Sequence, residues 1–103
     1  MKNINIIDTP NAGEILLEEF MKPLRISAYK LAHDINVPVS RIHDIIKNKR
    51  RITVDTSLRL SKYFGLSECY FLNIQNDIDI RNIKHINSYE LEHIVPFAAQ
   101  EII

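Results

Sequence analysis

Two short apolar stripes joined by Asn36-Val37-Pro38 constrain this chain more than any other feature. Leu31, Ala32 and Ile35 repeat at helical spacing and follow Ser27, a side chain suited to capping a helix start. Ile42, Ile45 and Ile46 form a second stripe beyond Pro38. Three residues separate the Leu-Ala pair from the turn, and Ile42 stands four residues after Pro38. A helix over 28–35 and another over about 39–47 must then cross steeply. Ala32 is small enough to let the second helix approach the first, and Val37 and Ile42 fill the angle between them. Asn36 tolerates the left-handed backbone that so tight a turn needs.

The rest of the chain reads as helix around this pair. At 103 residues it has the size of one domain. The only glycines, Gly13 and Gly65, are too few for a β protein full of tight turns and cannot form a phosphate-cradling loop. Ala12 to Lys22 carries Leu17, Phe20, Met21 and Leu24 on one face, with Pro23 ending the helix. Asn48 can close the helix over 39–47 in the left-handed conformation. Thr53 starts a fourth helix, with Leu58, Leu60 and Phe64 inward and Gly65 as its stop. Ser67 starts a fifth, whose Phe71, Ile74 and Ile78 recur at helical spacing. The pattern weakens beyond Asp79. Asn87 to Ile103 has room for a short helix, with Asn87 and Glu90 spaced as a capping box. The expectation is an all-α, five-helix domain over 12–81, preceded by an arm (1–11) and followed by an extension (82–103) that is partly disordered or serves dimerisation.

Charge is balanced overall, with 13 basic and 13 acidic residues, so net charge predicts no attraction to nucleic acid. Its distribution does. Arg41, Lys47, Lys49, Arg50 and Arg51 fall within eleven residues that hold a single acid, Asp44. The steep crossing leaves the outer face of the helix over 39–47 projecting, and a projecting helix fits the DNA major groove, roughly 12 Å wide. Base edges would be read by Val39, Ser40, Arg41, His43 and Asp44, and phosphates held by Ser27, Lys30, Lys47, Lys49, Arg50 and Arg51. One such helix reads few bases, so a homodimer on a two-fold double-stranded site is expected. Ile74, Ile78, Ile80, Ile83 and Ile86 exceed what a small core can cover and are the interface candidates.

Other chemistry finds little support. Cys69 alone makes neither an internal disulfide nor a Cys-based zinc site, and reads as a small packing residue in a reducing cytoplasm. Residues 1–8 lack the apolar core of a signal peptide, and Ile94–Ala99 is too short to span a bilayer, so no membrane partner is expected. His85, Glu90, Glu92 and His93 match no structural zinc spacing. His33 reads as a surface residue. With no nucleophile–base set and no catalytic carboxylate pair, an enzyme, a metal and a cofactor are all unexpected.

The residues also resemble a family. Ser27 to Leu66 is similar to Cro/repressor-type helix-turn-helix domains. From Pro10 to about Ile80 the chain resembles HigA-type, or VapI-like, antitoxins. The resemblance rests on Gly13-Glu14-Ile15-Leu16 with Glu18-Glu19-Phe20, Leu31-Ala32, Val37-Pro38 with Arg41-Ile42, and Lys49-Arg50-Arg51-Ile52-Thr53. It continues through Asp55-Thr56-Ser57-Leu58-Arg59-Leu60, Tyr63-Phe64-Gly65, Phe71-Leu72-Asn73-Ile74-Gln75 and Asp79. The chain departs from the family where Asn11-Ala12 stands for a frequent His-Pro, Asn36 and Asn48 for glycines, and Phe71 for Trp. The resemblance implies a repressor of its own operon that also holds a small basic toxin, a ribosome-dependent ribonuclease, inactive. Glu14, Glu18 and Ile15, with Glu19 and the arm residues Ile4, Ile6 and Ile7, are the expected toxin contacts. Two alternatives stay open: a stand-alone phage-type repressor, and an interaction module that no longer reads DNA.

Overall fold

The computed structural model describes residues 10–100. Helix α1 spans residues 12–24 in three parts: Ala12–Ile15, a π-helical Leu16–Met21, and Lys22–Leu24. It is followed by α2 (Ala28–Ile35), α3 (Val39–Ile46), α4 (Val54–Phe64) and α5 (Tyr70–Ile86). Two short pieces, α6 (Ser88–Glu92) and α7 (Phe97–Gln100), end the described chain. The five expected helices are therefore all present, and no strand occurs among the described residues.

Local chemistry sets most of the boundaries. Asn11 opens α1 with a reciprocal capping box: its side chain accepts from the Glu14 N–H at 2.9 Å, and Glu14 accepts from the Asn11 N–H at 3.0 Å. Ser27 caps α2 through the Lys30 N–H, and Thr53 caps α4 through the Thr56 N–H. Asn36, Asn48 and Gly65 all take the left-handed conformation, as expected, at φ 61°, 61° and 71°. Arg25 does so too, at φ 56°, and closes α1 with a bond from the Ile26 N–H to the Met21 carbonyl.

Several sequence expectations need correction. Pro23 does not end α1, which runs on to Leu24. The backbone has already widened to a π-turn in which the Lys22 N–H reaches the Leu17 carbonyl, and such a turn accommodates a proline that would break an ordinary helix. The wider turn also shifts the inward face. Leu16 is fully buried and Ala12 and Gly13 lie inside, whereas Leu24 is exposed. Leu58 is exposed because α4 buries Thr56, Ser57, Leu60 and Ser61 instead. Ser67 does not cap α5; a turn from the Tyr70 N–H to the Ser67 carbonyl precedes the helix, and Cys69, at the cap position, is exposed rather than packed. The Asn87 side chain makes no capping bond.

Phe71, Leu16, Leu31, Ile42, Ile45 and Leu60 are the largest apolar side chains fully withdrawn from solvent, and they bring α1 to α5 into one core. Phe20 sits among the rings of Phe64, Phe71 and Tyr70, with centroids 5.1, 5.3 and 5.7 Å away. Helix α5 contributes Phe71, Gln75 and Ile78 to the interior and continues unbroken past residue 81 to Ile86. Beyond Ile78 it leaves the body: Ile80, Ile83 and Ile86 are exposed, as are Tyr89, Leu91, Ile94, Val95 and Phe97. The molecule is 61 Å long and 21 Å thick.

Candidate nucleic-acid interface

In the α2–turn–α3 unit the side chains that the spacing turns inward are withdrawn from solvent. Leu31 and Ala32 are buried under α3, Ile42 and Ile45 are buried from the other side, and Val37 is half-buried at the apex. The turn closes with the Val37 N–H on the Ala32 carbonyl at 3.0 Å. Arg59 of α4 braces it by donating to the Ile35 and Asn36 carbonyls at 2.8 and 3.3 Å. Asp55 holds Arg59 in place through Nε at 3.0 Å. From behind, α1 approaches α3 so closely that a Cβ on Gly13 would fall 1.9 Å from the Ile45 carbonyl oxygen. Gly13 is glycine because that approach leaves no room for any side chain.

The five side chains expected to read bases divide into two groups. Ser40 and His43 are exposed on the outer face of α3, while Val39, Arg41 and Asp44 are half-buried. Arg41 leans back towards α4, where its Nη1 lies 3.4 Å from the Asp55 carboxylate, because an acid in the first turn of α4 faces it. The expected phosphate group divides as well. Lys47, Lys49 and Arg50 are exposed, and among the described residues their side chains make no hydrogen bond or ion pair. Arg51, in contrast, donates to Asp79 of α5 at 2.6 Å. Ser27 is occupied as a helix cap. Lys30 pairs with Asp34 at 3.0 Å. Asp34 also accepts from the Tyr63 hydroxyl at 2.6 Å, and this bond, with Lys30 second, lowers its pKa from 3.8 to about 2. The same contacts raise the pKa values of Lys30 and Tyr63.

The basic loop after α3 is held from below. The Gln75 side chain, buried in α5, accepts from the Ile52 N–H at 2.8 Å and donates to the Ile52 carbonyl at 2.9 Å. Sequence reasoning named Gln75 only within a block shared with a family and gave it no role, although a polar residue within the Phe71/Ile78 stripe signals a buried hydrogen bond. It likewise gave no structural role to Arg59, Asp55 or the glycine at position 13.

The expected toxin surface is present but not free. Glu14 is committed to the capping box, and Glu18 pairs with Lys22 at 2.9 Å. Glu14, Ile15, Glu18 and Glu19 still line one shallow groove with Pro10. Ile4, Ile6 and Ile7 lie outside the described residues. In the expected dimer surface, Ile78 is buried within the chain and Ile74 half-buried, so Ile80, Ile83 and Ile86 are what remains exposed.

A tightly joined helix pair, a braced turn and an outward polar helix edged with cations define a helix-turn-helix protein of the Cro/repressor class. The helix-turn-helix family model matches residues 17–71, and the chain belongs to that family, whose members are DNA-binding regulators and not enzymes. Within it the chain is similar to Virulence-associated protein I of Dichelobacter nodosus, at 46% identity over 67% of this chain and 64% of the relative. This chain thus spans just under two-thirds of that relative's length. Among solved structures it is similar to an addiction module antidote protein of the HigA family from Coxiella burnetii, with 35% identity and a TM-score of 0.77 over 85% of this chain and 97% of the other. It is also similar to the Pseudomonas aeruginosa antitoxin HigA, solved with the higBA promoter, with 30% identity and a TM-score of 0.76 over 85% and 96%. The resemblance to the HigA-type, VapI-like branch therefore holds.

Proposed function

We propose that this chain is a DNA-binding antitoxin that represses its own operon as a homodimer and neutralises a cognate ribosome-dependent ribonuclease. The observation that carries the DNA part is α3 itself. Its inner face is locked by Gly13 and Ala32 and the turn before it by Arg59, while Ser40, His43 and Lys47 stand exposed with Lys49 and Arg50 directly beyond. The HigA relative solved with a promoter supports the same reading. Ser40 and His43 read base edges, with Val39, Arg41 and Asp44 at the margin of the contact, and Lys47, Lys49 and Arg50 hold phosphates. Ser27, Lys30 and Arg51 are secondary phosphate contacts, since each already has a partner.

Binding should weaken steeply with salt, because each neutralised phosphate contributes roughly −0.9 to the log–log slope. Lys49→Ala/Arg50→Ala should flatten the slope by about 1.8 units and leave sequence preference intact. Ser40→Ala should instead lower discrimination by about 1–3 kcal/mol at constant slope. An unchanged slope in the double variant removes the loop from the DNA contact.

A second reading, a stand-alone repressor, is favoured by the engagement of Glu14 and Glu18 within α1, which leaves less acid for a basic partner. Co-expression with the neighbouring gene product decides between them. Capture of a small basic protein that Glu14→Lys/Glu18→Lys no longer holds supports the antitoxin reading and its α1 contact.

A further inference from the structure

We propose that Gln75 and Asp79 of α5 are positioning residues for DNA binding, forming a bracket that fixes where the basic loop presents Lys49 and Arg50. The inference rests on the loop contacting DNA as proposed above. Gln75 and Asp79 stand one helical turn apart and grip neighbouring residues of the loop in different ways. Gln75 engages the Ile52 backbone at both its N–H and its carbonyl, at 2.8 and 2.9 Å. Asp79 engages the Arg51 guanidinium at 2.6 Å.

Ile52 is itself buried, so its two backbone groups would have no water to turn to if Gln75 were lost. The grip is specific to an amide. A carboxylate would keep the N–H partner but oppose the carbonyl, and an apolar side chain would satisfy neither. Just upstream, Asn48 ends α3 in left-handed backbone, with the Lys49 N–H on the Asp44 carbonyl at 2.7 Å. Lys49 and Arg50 are thus suspended between two fixed points, the end of α3 and the bracketed Arg51-Ile52. Neither cation has a partner among the described residues, so the backbone alone directs them. Cations held at a set separation lose less freedom when they meet phosphates than cations on a free loop.

The test is a double-mutant cycle on the full-length chain, with operator and random duplexes as probes and temperature held well below each variant's melting midpoint. Gln75→Leu should flatten the salt slope by up to about 1.8 units, the share of Lys49 and Arg50. It should leave the ratio of operator to random binding within about twofold, since α3 is untouched. In the Gln75→Leu background, Lys49→Ala/Arg50→Ala should then add almost nothing. A purely structural role would lower stability yet leave the slope unchanged and the loop substitutions fully additive, and that result overturns the proposal. If Gln75→Leu does not fold, Gln75→Glu serves in its place and should give an intermediate slope. Should Lys49→Ala/Arg50→Ala leave the slope unchanged in the wild-type background, the DNA reading of the loop fails first, which is a separate outcome from failure of the bracket.

Discussion

The two glycines serve different ends, and substitution separates them. Gly13→Ala would drive a methyl group into the Ile45 carbonyl, an atom of a helix backbone that cannot swing aside. The expected loss is at or above the top of the usual range for overpacking, about 3 kcal/mol, read as a fall in the urea midpoint. Gly65→Ala meets no atom within 4 Å and suffers only from its φ of +71°, so about 1 kcal/mol is expected. If the two variants lose equal stability, the close approach of α1 to α3 is not what position 13 protects. The left-handed turns were legible in the sequence because Asn36, Asn48 and Gly65 act through their own backbone. Gly13 was not, because its reason lies 32 residues away in Ile45.

Asp34 gives a prediction in pH. Its folded pKa of about 2 lies below the ordinary 3.8, so the contribution of the Tyr63 and Lys30 contacts is fully present above about pH 4. That contribution fades as pH falls through the folded value near 2. Tyr63→Phe removes the largest cause, and the Asp34 carboxyl, followed by NMR, should then titrate closer to 3.8. A titration curve unmoved by that substitution would show that the tyrosine hydroxyl does not hold the carboxylate.

At the scale of elements, the helix-turn-helix pair was readable because its partners are near neighbours in sequence and its periodicity is strong. In helix α1 the pattern found Leu17, Phe20 and Met21 but missed Leu16 and turned Leu24 inward, because a π-turn leaves no mark in an apolar pattern counted at 3.6 residues per turn. The polar ties among elements were equally hidden. Arg59 grips the turn between α2 and α3 from 23 and 24 residues away, and Arg51 meets Asp79 over 28. The second tie makes Arg51 a restrained cation. Asp79→Asn should free Arg51 but also release the loop, so the salt slope of DNA binding should flatten by up to about 0.9, the roughly 1.8 of Lys49 and Arg50 less the roughly 0.9 that a freed Arg51 regains. A slope that steepens instead would show that Asp79 only withholds Arg51 from phosphate and does not position the loop.

On the scale of the whole molecule, the shape asks for a partner. A compact chain of about 100 residues has a radius of gyration near 13 Å, whereas this one has 17.7 Å. The excess comes with an α5 whose last two turns leave the core and expose Ile80, Ile83 and Ile86, followed by the apolar side chains of α6 and α7. A second copy packed along this stripe would cover it and set two α3 helices on one duplex. Ile83→Asp/Ile86→Asp should give a folded monomer by light scattering, with operator affinity lower by at least about tenfold, or 1.4 kcal/mol. A dimer that survives both charges would move the interface elsewhere.

The braced turn has a consequence for how such proteins diversify. The Arg59 clasp fixes the turn and the glycine-tight contact fixes α3 from behind, while the exposed side chains of Ser40 and His43 make no hydrogen bond among the described residues. An address written on a surface with no structural duty can be rewritten at almost no thermodynamic risk. With base reading placed there as proposed, duplicated copies of such a gene could drift to new operators in a few substitutions while staying folded, and several could coexist in one cell without answering to one another's sites.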